Sequence, residues 1–200
     1  MKVGARVIAG VHCLLVVFAL VSSAFATQVR QLNIEDLTRK AGTIVAGRCT
    51  RVEVVHDPDL GRTVTRVTIL AERSLKGPGG RKITFRMIGD RTVRRSATTS
   101  VGLPTFSPGE EIILFLYPDS AADLTSPVGL GQGKFVVRLD KQGRPIAVNA
   151  FGSHGLTRGM SAGARNRLGE MAHGEPGRAA PGRDALLQMI ERLANSGGTP

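Results

Sequence analysis

Thr43-Ile44-Val45-Ala46-Gly47-Arg48-Cys49-Thr50-Arg51-Val52-Glu53-Val54-Val55 is the stretch on which the fold turns. It is dense in β-branched residues, which suit a pleated, half-buried surface, so it reads as a strand. Gly47 inside it marks a bulge or a point of close packing. His56-Asp57-Pro58-Asp59-Leu60-Gly61 then reads as a turn held by Asx hydrogen bonds. Residues 62–74 resume strand chemistry, with Val67, Ile69 and Ala71 alternating against Thr68, Leu70 and Glu72. After a second turn, Leu75-Lys76-Gly77-Pro78-Gly79-Gly80, residues 82–88 form a third strand. Its Ile83, Phe85 and Met87 share one face.

Upstream, Asn33 is a good helix N-cap with Asp36 three residues on, and Ile34, Leu37 and Ala41 share one helical face before Gly42. Residues 34–41 are therefore expected to be a short helix packed on the sheet. Downstream, residues 89–110 read as a long loop. Residues 111–117 follow as a nearly continuous apolar run, the pattern of a strand buried on both faces. Residues 134–139 and 145–148 make a last hairpin around Asp140-Lys141-Gln142-Gly143. Beyond Phe151 the composition turns to Gly, Arg, Ala and Pro, too poor in apolar side chains to repay ordering. Leu186, Ile190 and Leu193 then recur at helical spacing. The predicted fold class is mainly β: a small OB-like Greek-key barrel, closed or partly open, with one short N-terminal helix and a C-terminal helix.

The beginning of the chain predicts export. Lys2 and Arg6 precede an apolar run over residues 7–21, and Ala24-Phe25-Ala26 fits a small-x-small cleavage site. The expected organisation is a signal peptide at 1–26, a β domain at 27–152, a flexible Gly/Arg/Pro linker at 153–182, and an amphipathic helix with its tail at 183–200. The product is expected to be secreted or periplasmic, with no stable membrane insertion after cleavage. Without residues 1–26, 25 Lys and Arg face 16 Asp and Glu, a net charge of +9. Such an excess points to acidic partners. Nucleic acid is not expected among them, because export and the scarcity of aromatics argue against base-stacking platforms. One cysteine, Cys49, remains after residue 26, so no internal disulfide is expected, and its apolar strand context predicts a buried, inert thiol.

Several stretches resemble chemical motifs and fall short of them. Gly129-Leu130-Gly131-Gln132-Gly133-Lys134 lacks the Ser or Thr and the helix that a phosphate loop needs, and reads as a glycine-bulged strand entry. His56, His154 and His173 offer no metal spacing, so neither a metal nor a cofactor is expected. Ser153-His154 is not the arrangement of a hydrolase nucleophile and base. Glu110 and Glu111 open a strand, where alternation sends them to opposite faces and prevents shared acid–base work. The remaining cluster is cationic: Arg81, Lys82, Arg86, Arg91, Arg94 and Arg95 crowd one strand and the loop after it. Arginine forks suit carboxylates and phosphates, so these six are the candidate ligand-binding residues.

Leu37-Thr38-Arg39-Lys40-Ala41-Gly42-Thr43-Ile44-Val45-Ala46-Gly47-Arg48, Leu75-Lys76-Gly77, Pro108-Gly109-Glu110-Glu111 leading into Leu114-Phe115-Leu116, and Gly129 to Phe135 occur in an order that resembles a group of exported bacterial proteins of unassigned function. More distantly it resembles the netrin module and the N-terminal domain of tissue inhibitors of metalloproteinases. The likeness spans about residues 32–151 and implies an OB-type barrel. It does not bring the inhibitors' mechanism with it. They set the amine and carbonyl of an N-terminal cysteine on a target's zinc, whereas this chain after cleavage would start at Thr27, with neither that cysteine nor the disulfides that fix it. The expected function is a non-catalytic exported module that binds a protein or an anionic envelope polymer, one version being inhibitor-like contact with an exported peptidase. Two other classes fit the residues: an enzyme with an unfamiliar site, and a structural cell-surface module whose C-terminal helix docks on a partner.

Overall fold

The computed structural model describes residues 30–92, 102–153, 155–173 and 180–195. Within the unit Gln31–Pro200, helix α1 (Ile34–Lys40) is followed by strands β1 (Thr43–Asp57), β2 (Arg62–Lys76), β3 (Lys82–Ile88) and β4 (Glu111–Leu116). A 3-10 turn (Leu130–Gly133) leads into β5 (Lys134–Leu139) and β6 (Pro145–Val148). Helix α2 (Ala162–Leu168), a second 3-10 turn (Gly169–His173) and helix α3 (Arg183–Ala194) complete the order. The protein is mainly β, as its alternation predicts. Among the described residues no helix is long and apolar enough to cross a membrane.

All six strands form one antiparallel sheet in the order β3-β2-β1-β4-β5-β6. The portion β4-β1-β2-β3 is a Greek key, in which the fourth strand returns beside the first. β1 pairs with β2 along its whole length, and its first half, Thr43 to Arg48, also pairs with β4. The register slips between Ala46 and Gly47. A Cβ on Gly47 would lie 2.2 Å from the Leu70 carbonyl oxygen, so only glycine lets the two strands approach there. At the hairpin tip, Asp57 Oδ1 accepts hydrogen bonds from the Asp59 and Leu60 amides at 3.1 Å. That is the Asx turn expected of an Asp-Pro-Asp segment.

Of the two forms expected, closed or partly open, the sheet is not closed: the ladder of described strands has no pairing between β3 and β6. The Greek key instead curls until single hydrogen bonds reach across. The Thr125 amide donates to Arg86 O of β3 at 2.9 Å, and the Tyr117 amide, just past β4, donates to Ser126 O at 3.0 Å. A short irregular segment thus stands where a closing strand would lie. The physical reason is the two extra strands: β5 takes the free edge of β4 that closure would have used.

Two cores lie on opposite faces of this sheet. Ile113 and Phe115 of β4 face one, with Phe135, Ile44 and the inner sides of α1, α2 and α3. Ile112, Leu114 and Leu116 face the other, with Val67, Ile69, Phe85 and Phe106. β4 is buried on both sides, which is why its sequence is a continuous apolar run.

The expected flexible linker is corrected in part. Residues 162–173 are helical, and Ala164 and Leu168 are buried against the first core. Ser161 caps α2, its hydroxyl accepting from the Ala164 amide at 3.1 Å. Leu156 and Met160 just before α2 join the same core, and Met171 and Ala172 just after it are half-buried against it, so a few apolar residues suffice where the surface they cover is already built. Residues 154 and 174–179 of the expected linker lie outside the described residues. α3 docks on the domain: Leu186, Leu187, Met189, Ile190 and Leu193 are buried. Arg183 at its start binds Glu111 and Glu72, each at 2.7 Å.

Replacing Ile190, fully buried on α3, with alanine should cost about 2–5 kcal/mol through lost burial and a residual cavity. Leu139→Ala, at a side chain that is 70% exposed on β5, should cost less than about 0.5 kcal/mol. Urea denaturation of both variants checks the docking of the C-terminal helix.

Candidate functional site

The structure describes four of the six cations that the sequence groups together, and it disperses them. Arg81 and Lys82 are exposed at the start of β3. Arg86 is spent on internal bonds: its Nη1 pairs with Asp57 Oδ2 at 2.7 Å, Nη2 donates to Ala122 O at 2.7 Å, and Nε donates to Asp123 O at 3.2 Å. It ties β3 to the β1–β2 tip and to the segment after β4. Arg91 is only 4% exposed. Its Nε donates to Ile88 O at 2.9 Å, and burial lowers the pKa of its guanidinium. Arg86 and Arg91, expected as ligand contacts, thus make internal bonds that hold the fold. Adjacent cations compete for solvent, and here two of them are bound to carbonyls and a carboxylate that the fold cannot leave unpaired. Arg94 and Arg95 lie outside the described residues.

A buried polar cluster sits at the rim of the second core. Lys134, 7% exposed, donates to Thr105 O at 2.5 Å and to Glu110 Oε2 at 2.7 Å. Its ammonium lies 4.6 Å from the centroid of the Phe106 ring. Glu110 Oε2 also accepts from the Ser107 amide at 3.1 Å. The glycine-rich run before Lys134 is a 3-10 turn entering β5, so this lysine staples the 105–110 segment to the sheet and meets no phosphate loop. Glu111 turns the other way, to Arg183. Cys49 is fully buried nearby, and burial first, then the Glu110 carboxylate, pushes its thiol up to about 11. Among the described residues no three His, Cys, Asp or Glu side chains gather as a metal set.

The convergence of cations that the structure does build lies among the helices. A cleft of about 390 Å³ is lined by Glu35, Thr38 and Arg39 of α1, Lys76 of β2, Arg167 of α2 and Leu193 of α3. Each wall has a local reason. Glu35 accepts from both the amide (2.8 Å) and the hydroxyl (2.7 Å) of Ser161, so the one acid among the described residues lining the cleft is turned to the start of α2. There the helix dipole also favours negative charge. Lys76 Nζ donates to Thr38 O at 2.8 Å and to Arg39 O at 3.4 Å, satisfying carbonyls at the end of α1. Its burial lowers its pKa. Arg39 pairs with Asp36 one turn back at 2.5 Å. The guanidinium of Arg167 forms no hydrogen bond or ion pair among the described residues. Arg192 reinforces the same corner by donating to Arg167 O and Leu168 O at 3.5 and 3.4 Å.

Sequence reasoning missed Arg39, Lys76 and Arg167 because they come from three separated segments. The one available signal was Ser161 followed by Ala164 and Leu168, a capped helical turn that would have placed Arg167 on a wall. No family model, curated protein or solved structure matches the chain.

Two outcomes follow for the buried cluster. Lys134→Ala, which strands Glu110, should destabilise by about 3–5 kcal/mol, whereas Lys134→Met, which keeps the contact with Phe106, should cost less; urea midpoints of the two variants decide this. Cys49 should react slowly with a thiol reagent in the native protein and fast once unfolded. Its folded pKa lies above the ordinary 9.0, so the folded state holds its proton more tightly. The associated stability is complete below pH 9 and is lost as pH rises toward about 11. Cys49→Ser should flatten that alkaline loss in a pH series of unfolding curves.

Proposed function

We propose that the chain is an exported, non-catalytic binding module whose ligand or partner is anionic, engaged at the cleft between α1, α2, α3 and the end of β2. In this reading residues 1–26 are removed on export and the protein works in the periplasm or outside the cell. The observation that carries it is the cleft itself. Arg39, Lys76 and Arg167 reach it from three elements, while the one acid among the described residues that line it, Glu35, is bound to Ser161. By count the described lining is positive, three cations against one carboxylate that is turned to the start of α2. The excess of Lys and Arg over the chain as a whole favours the same partner at longer range.

A binding role also agrees with the state of the reactive groups. Cys49 is buried with a raised pKa, and Glu110 and Glu111 serve separate structural pairs on opposite faces. Neither arrangement offers a nucleophile beside a base.

The test uses the chain beginning at Thr27 and polyglutamate as the anionic partner. Exposed ion pairs contribute about 0.2–1 kcal/mol each, so Arg39→Gln with Arg167→Gln should weaken binding roughly twofold to thirtyfold. Binding by the unsubstituted chain should itself fall as salt rises. Arg81→Gln with Lys82→Gln, on the exposed start of β3, should change it less. Unchanged binding in the first pair at low salt, or a larger loss in the second, would refute the cleft as the site.

A further inference from the structure

The cleft has features that narrow the anion further, and the narrowing rests on the reading just given. We propose that it takes a phosphomonoester group, with Arg167 as the principal contact and Arg39 and Lys76 completing the shell. Three donors enter from α2, α1 and β2. A carboxylate offers two oxygens and one charge, whereas a phosphomonoester dianion offers three oxygens and nearly two charges to groups arriving from three sides. The guanidinium of Arg167 is planar and forked, shaped for two oxygens at once. Arg39 and Lys76 are already partly compensated, by Asp36 and by the α1 carbonyls. Arg167 has no such partner among the described residues, so it gains most from the ligand. The volume, about 390 Å³, lies at the small-ligand end of protein pockets, so a discrete headgroup fits better than a long polymer. Leu193 and Thr38 line the same cleft and offer cover to the carbon atoms next to the phosphate.

Such a group could belong to a soluble phosphate ester or to a lipid headgroup, and the experiment separates these. Phenyl phosphate is titrated into the chain beginning at Thr27 by calorimetry, and vesicles of phosphatidylcholine doped with phosphatidic acid are tested by flotation. Arg167→Gln should lower phenyl phosphate affinity by roughly tenfold or more, as expected for lost charge-assisted hydrogen bonds. Arg167→Lys should recover only part of it, since a point charge replaces a fork. Affinity should rise as pH climbs through about 6, where the second phosphate proton leaves. Benzoate, of similar shape with a carboxylate, should bind more weakly. Arg167-dependent binding of phenyl phosphate alone supports a soluble ester, and Arg167-dependent flotation supports a lipid source. If benzoate binds as well as phenyl phosphate, or neither phosphate probe depends on Arg167 while polyglutamate still does, the phosphate assignment fails and the anion-binding reading stands. If polyglutamate is also indifferent to Arg39 and Arg167, both fail.

Discussion

The burial of β4 on both faces is the constraint from which the rest of the structure follows. A strand with Ile112 to Leu116 withdrawn from water on both sides needs cover on both sides. The curled Greek key supplies one cover, around Phe85 and Phe106, and the three helices supply the other, around Phe115 and Phe135. β1 lies between these demands, paired to β4 over its first half and to β2 throughout. Its length, 15 residues, lets one strand serve both the two-sided centre of the sheet and the exposed hairpin beyond it. Gly47 stands at one of the irregular points of that strand, where any side chain would meet the Leu70 carbonyl.

Covering both faces creates boundaries where charged groups must be settled, and the fold settles them with its own residues. Lys134 and Glu110 close the rim of one core, and Arg183 with Glu111 and Glu72 closes the approach to the other. Adjacent carboxylates are therefore assigned to different cores by alternation alone. The same logic makes Arg86 and Arg91 structural. Each meets carbonyls left over where a strand ends and the chain turns away, and a guanidinium with five donors is suited to collecting them.

What was legible in the sequence is what repeats locally. The period of two in Val67, Ile69 and Ala71, the apolar run of β4 and the Asn33 cap each place an element without knowledge of its neighbours. The Glu110–Glu111 split follows from the same period. What was not legible depends on surfaces made elsewhere. Residues 162–168 carry little apolar content, yet Ala164 and Leu168 fold against a core whose cost has already been met by the sheet and α3. The open ladder was likewise hidden, since whether β4 offers its second edge to β3 or to β5 is a competition between distant segments that alternation does not decide.

Charge clustering along a sequence and charge clustering in space are different properties, and this protein separates them. Cations close together on a strand and its following loop enter unlike environments: alternation, the strand end and the turn send one to solvent, one to a carboxylate and one into the interior. Mutual repulsion favours that dispersal, because each cation is stabilised by a different partner. Cations that do converge must be held by separate elements, each with its own reason to bring its residue there. Arg39 follows from the cap and length of α1, Lys76 from the carbonyls at that helix's end, and Arg167 from the apolar pair that seats α2. The cleft is then a by-product of three local solutions meeting over one helical core. Its charge follows from their number: among the described residues that line it, three cations meet one carboxylate, Glu35, whose two hydrogen bonds from Ser161 join α1 to the start of α2.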